Sequence, residues 1–385
     1  MKSNYKVLGE LVCLIDERNK NSITDNLLGI NIDKYFMPSV ANVIGTDLSK
    51  YKLIKKGCFA CNPMHVGRDE RLPIALYTDE SPSIVSPAYF VFKIIDESIL
   101  ISEYLMLWFR RKEFDRECWL KTDGSVRGGI SWDDLCRIEI PVPSIVEQNK
   151  IVDSYQAITK RIFLKQQIND NLEATARSIY KSYFVDFEPF EGNQPTDWVE
   201  VTVDNIAEEV ICGKTPPTSE SDNYGGTMPF ITIPDMHGSV FTTQTERFLS
   251  DKGVATQANK TLPANSICVS CIASVGLVCL TAEASQTNQQ INSIICKDDI
   301  SPYYVYLKMT TISDYLKQLG AGGSTTLNVN KTMFGQIPIL LPEKDTLDEF
   351  HSKVAPLFAL IRANQYEVQD LDQLKSLLLS QMSSR

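Results

Sequence analysis

Two Cys-x-x-Cys pairs, Cys58/Cys61 and Cys268/Cys271, stand at the spacing that zinc knuckles use. Each pair falls in a β-rich run, where residues three apart point to opposite faces of a strand. The pairs are also some 200 residues apart along the chain. Core packing is therefore the expectation, and metal binding is not. Gly213-Lys214-Thr215 looks like the end of a phosphate-cradling P-loop, which needs a glycine five positions before its last one. That position is Glu208, and Pro216-Pro217 stand where the helix should begin. Asn62-Pro63-Met64-His65 is a partial Asn-Pro-Pro-aromatic motif of the adenine methyltransferase kind. It lacks the second proline and the ring, and no glycine-rich cofactor loop precedes it. Three histidines in the whole chain leave little for imidazole chemistry. The expectation is a chain with no catalytic residues, no metal and no cofactor of its own.

What remains is polar loops on globular domains. At 385 residues the chain is long enough for two or three domains, and 43% hydrophobic with 22% charged residues is a globular composition. Ten cysteines are too few for a disulfide scaffold, so reduced thiols and a cytoplasmic location are expected. No run of eighteen apolar residues is present to span a membrane, and Met1–Lys6 has no apolar region of a secretory leader. The net charge of −10 is unevenly spread. Residues 1–143 carry 19 Lys+Arg against 20 Asp+Glu, whereas 188–342 carry 8 against 16. A non-specific polyanion binder should be basic throughout, so this chain alone would be a weak one.

The elements that position these loops repeat. An offset of 199 residues brings Ser125 onto Ser324, Leu135 onto Phe334, Ile138 onto Ile337, Pro143 onto Pro342 and Ile162 onto Ile361. Each half runs through a Gly/Ser loop, a strand ending in proline and a long helix. Steps of four and three from Ile151 reach Tyr155, Ile158, Ile162, Lys165, Asn169, Leu172, Ala176, Ile179 and Tyr183. The same steps from Phe350 reach Val354, Leu357, Ile361, Asn364, Val368, Leu371, Lys375, Leu378 and Met382. This is a coiled-coil seam, interrupted in both helices at Lys165, Asn169 and Asn364, polar residues of the kind that fix register. An amphipathic helix packed on its own domain is the plainer alternative. Pro356 should kink or restart the second helix near Leu357. Short β-rich runs at Ile74–Tyr77, Tyr89–Ile94, Ser266–Ser270 and Ile291–Cys296, with helical stretches at Ser102–Glu117 and Pro302–Leu319, make each globe α+β. The expected segments are a domain over 1–143, a helix over 144–187, a second domain over 188–342 and a second helix over 343–385.

Taken in order, these features resemble the specificity subunit of a type I restriction-modification system. The likeness covers essentially the whole chain. Its carriers are the four blocks, the proline-ended strand followed by Glu147-Gln148 and Ile151, and several short matches. In the first half these are Phe59-Ala60-Cys61-Asn62-Pro63 and Val85-Ser86-Pro87-Ala88-Tyr89. In the second they are Gly213-Lys214-Thr215-Pro216, Met228-Pro229-Phe230-Ile231, Ser274-Val275-Gly276 and Thr287-Asn288-Gln289-Gln290. The second helix departs from the pattern, with Leu347-Asp348 where the first has Gln148-Asn149.

The resemblance implies an α+β protein of two tandem α/β target recognition domains, each followed by a long helix, with the helices paired as an antiparallel coiled-coil spacer and an internal pseudo-twofold repeat. It implies double-stranded DNA as ligand, each domain reading half of an asymmetric bipartite site. It also implies two methyltransferase subunits as partners, which bind the S-adenosylmethionine, and restriction/translocase subunits in complexes that cut. The alternative from another class is a non-catalytic coiled-coil adaptor whose globes bind proteins. On the DNA reading, the candidate contacts of the first domain are Lys55, Lys56, Asn62, His65, Arg68, Arg71, Lys121, Ser125 and Arg127. Arginine suits guanine, asparagine suits adenine, and lysine suits phosphate. Arg68-Asp69-Glu70-Arg71 could equally be a self-neutralised surface loop. In the second domain the candidates are Lys214, Thr215, Thr218, Tyr224, Ser270, Ser274, Asn288, Gln289, Ser324, Thr325 and Asn328, nearly all uncharged. So little basic charge there means that the methyltransferase partners are expected to supply much of the positive surface.

Overall fold

The computed structural model describes residues 4–41, 45–64, 66–122, 128–321 and 327–382. Its contacts divide the chain into two compact units, Met1–Lys160 with Gln373–Arg385, and Arg161–Asp372. Each unit thus holds one globe and stretches of both long helices.

In the first unit, strand Tyr5–Val7 pairs antiparallel with Glu139–Pro141, joining the start of the globe to its end. Between them an antiparallel sheet forms in the order Val12–Leu14, Phe90–Ile94, Phe59–Cys61 and Ile74–Leu76. Phe59, Phe92, Phe109 and Phe114 fill one face of this sheet with tightly contacting rings. Ile54, Ala60, Tyr77, Val85 and Val91 fill the other, which explains why these strands read as continuous apolar runs.

The second unit follows the same order. Strand Val199–Thr202 pairs with Pro338–Leu341, and a five-stranded sheet runs Ala207–Cys212, Ile291–Cys296, Ile267–Ser270, Val278–Thr281 and Phe241–Thr242. A smaller three-stranded sheet is formed by Arg247–Leu249, Tyr224–Ile231 and Gln286–Thr287, where the first unit has two two-stranded ones, Leu28–Ile30 with Phe36–Pro38 and Lys52–Ile54 with Ser83–Val85. Duplication is visible in individual bonds. The Tyr104 hydroxyl donates to Pro141 O in the first unit, as Tyr304 does to Leu340 O in the second. Leu8 N–H donates to Ile138 O, and Val203 N–H to Ile337 O. Ser131 caps the helix Trp132–Cys136, and 199 residues later Asn330 caps Lys331–Gly335. The fold class is α+β, with a long helix after each globe.

Two local expectations need correction. The stretches expected as single helices are each two, Ser102–Phe109 with Lys112–Leu120 and Pro302–Thr311 with Ser313–Gly320, broken at the same place in both halves. Pro356 does not restart the second helix, which runs unbroken over Lys344–Gln381. The fully buried Val354 and Phe358 anchor the chain on both sides of the proline. Their burial, at roughly 1.5–3 kcal/mol each, outweighs about 3 kcal/mol for an internal proline.

The central helix, Ile145–Phe184, and the C-terminal one bury or half-bury the seam residues read from the sequence. Within the second unit Lys165 meets Asn364 and Tyr183 meets Glu349, so the helices run antiparallel. Both helix descriptions apply. Tyr180, Tyr183, Phe184, Phe350 and Phe358 join the second globe's core, while the turns around Asn364 pair helix to helix.

Candidate nucleic-acid interface

Strand order decides which loops share an end of a sheet. In the first unit Cys61 lies opposite both Ile74 and Phe90. The connection 62–73, carrying Asn62, Arg68 and Arg71, therefore leaves from that end. Gly128–Ile130 lies against it, with Gly67 N–H donating to Gly128 O (3.0 Å) and Ile130 N–H to Pro63 O (3.1 Å). A Cβ on Gly129 would stand 2.9 Å from Pro63 O, so this approach requires glycine. Lys55 and Lys56 do not lie beside Arg68 and Arg71, as their nearness in sequence suggested. Phe59 opposes Leu76 and Phe92, and Gly57 N–H bonds Tyr77 O, which puts the two lysines at the opposite end of the sheet.

The second unit repeats this seat. Val329 N–H donates to Cys271 O (2.9 Å) and Ala273 N–H to Leu327 O (3.1 Å), 199 residues on from Ile130 and Gly128. Cys212 opposes Asn292, Ser270 opposes Ile291, and Val269 opposes Val278. The loops after Cys212, after Ser270 and before Ile291 consequently meet at one end, where Asn328 also lies. There Lys214, Thr218, Ser274, Gln289 and Asn328 are exposed, and Thr215 donates to Gln289 Oε1.

Other nominated residues hold this end together from within. Ser270 is fully buried, donates to Ser274 O and accepts from Leu277 N–H, closing the turn between them. Asn288 is buried, with both ends of its amide bonded to Gln290. Tyr224 spends its hydroxyl on Pro216 O (2.8 Å), and Asn62 accepts from Met64 N–H (3.1 Å). For Ser270, Asn288 and Tyr224 the positioning of neighbours is the role that the geometry supports. His65, Ser125, Arg127, Ser324 and Thr325 lie outside the described residues.

The nominated cations differ between the halves. Lys55 pairs with Glu17 (2.6 Å), Lys56 with Glu80, Arg68 through two bonds with Asp69, Arg71 with Asp33 (3.2 Å) and Lys121 with Glu117 (4.0 Å). Exposed pairs of this kind contribute about 0–1 kcal/mol, so a phosphate can replace the carboxylate at little cost. Lys214 is exposed and forms no ion pair with a described residue.

One buried pair had no local signal in the sequence. Lys34, in the left-handed region at φ +67°, donates to Phe109 O and to Asp115 Oδ1 (2.7 Å), and Asp115 also accepts from Leu72 N–H (3.0 Å). Burial pushes the Lys34 ammonium below the usual lysine range, and Asp115 opposes that shift. This pair ties the hairpin Leu28–Pro38 to the connection carrying Arg71. Its partners are 81 residues apart, beyond any periodicity.

The Cys-x-x-Cys pairs divide as strand geometry requires. Cys61 and Cys58 face different clusters, and so do Cys271 and Cys268. Burial raises the Cys58 and Cys61 thiols and pushes Cys271 up to about 12, which disfavours the thiolate that zinc needs. Among the described residues no group of three or more metal-ligating side chains converges. Between the helices, Lys165 donates to Asn364 Oδ1 and Asn364 Nδ2 to Asn169 Oδ1, both at 2.8 Å. Glu367 accepts from Lys165 and Arg161 at the edge of this chain.

Residues 33–174 and 195–376 match the family model described as the type I restriction modification DNA specificity domain, once in each half. The chain belongs to this family. Specificity proteins of the family include the type I restriction enzyme HindI specificity subunit of Haemophilus influenzae, 31% identical to this chain with 97% of each covered. The MjaIX specificity subunit of Methanocaldococcus jannaschii is 24% identical over 75% of this chain and 70% of its own. The crystal structure of a type I system S subunit from M. genitalium shares the fold, with a TM-score of 0.60 at 14% identity over 98% of this chain and 95% of the other. Membership in the specificity family makes DNA recognition the role of this chain, in preference to the adaptor alternative. No helix among the described residues is long and apolar enough to cross a membrane.

Proposed function

We propose that the chain is the non-catalytic DNA-recognition subunit of a type I restriction-modification complex, with each globe reading one half of an asymmetric bipartite site. The recognition domains are 1–143 and 188–342. The helices over 144–187 and 343–385 set the separation of the half-sites and dock two methyltransferase subunits. Those subunits bind S-adenosylmethionine and transfer the methyl group, and restriction/translocase subunits join when the complex cuts. With its thiols reduced, the complex works in the cytoplasm on the cell's own DNA.

One observation carries this reading: both globes hold a loop cluster at the same end of the sheet, on the same backbone seat, with different side chains. A duplicated frame with divergent loops suits two unlike half-sites. Half-sites read by a repeated frame should lie about one helical turn apart, or a multiple of it. The deciding experiment maps DNA methylation in cells with and without the gene, the methyltransferase gene being kept. Loss of a single asymmetric bipartite motif is the expected result. Unchanged methylation in cells whose methyltransferase is shown to be active would overturn the reading.

A further inference from the structure

The loop Gly213–Thr215 and the turn Thr287–Gln290 are far apart in sequence but locked together. Gly213 N–H donates to Ile291 O (3.1 Å) and Lys214 N–H to Thr287 O (3.0 Å). A Cβ on Gly213 would stand 2.2 Å from Asn288 O, so no other residue allows the two segments to lie this close. The turn is held from its other side by Cys271 N–H to Gln290 O (2.8 Å) and by Asn288 N–H to Ile231 O (3.2 Å). Asn288 spends its whole amide on Gln290. The backbones under Thr215 and Gln289 therefore have no slack, and the one side chain of the turn left exposed is that of Gln289.

Its amide has a defined orientation. The Thr215 hydroxyl donates to Gln289 Oε1, which turns the carbonyl oxygen inward and the NH2 group outward. A free glutamine can pair with adenine through both ends, giving N–H to N7 and accepting from N6. With its oxygen held by Thr215, Gln289 is presented chiefly as a donor. Donors match the acceptor edges of the major groove, guanine O6 and N7 or thymine O4. Lys214, exposed on the loop locked to that turn, is placed for a neighbouring phosphate.

Resting on the DNA-recognition reading above, we infer that Gln289 is a specificity-determining residue of the second half-site that reads a base-edge acceptor through its NH2 group, and that Thr215 is its positioning residue. The test uses the full chain assembled with its methyltransferase subunits, methylating DNA in which each base pair of the site is varied singly. Gln289→Glu keeps the Thr215 bond and replaces the outward donor by an acceptor. It should reduce discrimination by roughly tenfold at one base pair of the second half-site, leaving the first half-site unaffected. Thr215→Val should lower discrimination at that same base pair, and Thr215→Ser should restore it. Unfolding midpoints of all variants guard against simple loss of structure. Discrimination unchanged in Gln289→Glu, or loss spread evenly over both half-sites, would overturn the inference. Wild-type complex that methylates without sequence preference would instead remove the recognition reading, and the inference with it.

Discussion

The two recognition units solve one problem with different chemistry. In the first, the nominated cations among the described residues each face a carboxylate, and a buried Lys34–Asp115 pair braces the connection that carries Arg71. In the second, the corresponding sheet end is braced by uncharged amides and hydroxyls, and Lys214 there pairs with no carboxylate among the described residues. The same contrast recurs at the start of the long helices. Gln148 is fully buried, accepts from Ile101 N–H and donates to Ile99 O and Pro143 O. Its counterpart Leu347 is buried among apolar neighbours. A duplicated backbone can thus be held by polar bonds in one copy and by apolar packing in the other, provided that each buried polar group is satisfied.

The contrast can be broken by substitution. Lys34→Met should cost about 3–5 kcal/mol, because Asp115 is left buried without a cation. Denaturant unfolding of the full chain would show this, and Lys34→Met combined with Asp115→Leu should recover most of it. Next, Gln148→Leu copies the second half into the first and should cost on the order of 3 kcal/mol through the orphaned backbone groups of Ile99, Ile101 and Pro143. A neutral result in thermal melts would mean that the polar staple is dispensable.

Smaller effects sharpen the picture. Replacing Lys165, Asn169 and Asn364 together by apolar residues should raise stability by about 1–3 kcal/mol while loosening the choice of helix register. Cysteine cross-linking between the helices measures that choice, and unchanged pairing would sink the register role. Finally, Lys214→Ala should weaken DNA binding of the assembled complex a few-fold and lower the salt slope by about one. Arg68→Ala, whose guanidinium is already held by Asp69, should change both less.

Much of this architecture could be read along one dimension. The offset of 199 residues, the proline-ended strands and the four-and-three seam depend on local spacing, and each reappears as a bond or a buried face. Amphipathic period survives folding because a helix or strand can bury only one stripe of its surface. Residue type alone says less about where a side chain lies. Ser270 and Asn288 are polar and sit beside loops, yet they are buried braces. Lys55 and Lys56 are near Arg68 in number, yet they occupy the far end of the sheet.

Only the tertiary structure decided which distant side chains meet. Thr215 and Gln289 come together because the strands Ala207–Cys212 and Ile291–Cys296 are sheet neighbours running in opposite directions. Lys34 reaches Asp115 because a hairpin and a helix close over the same core. Neither meeting has a period, since strand order is settled by the packing of whole faces and not by the residues that happen to stand at the strand ends.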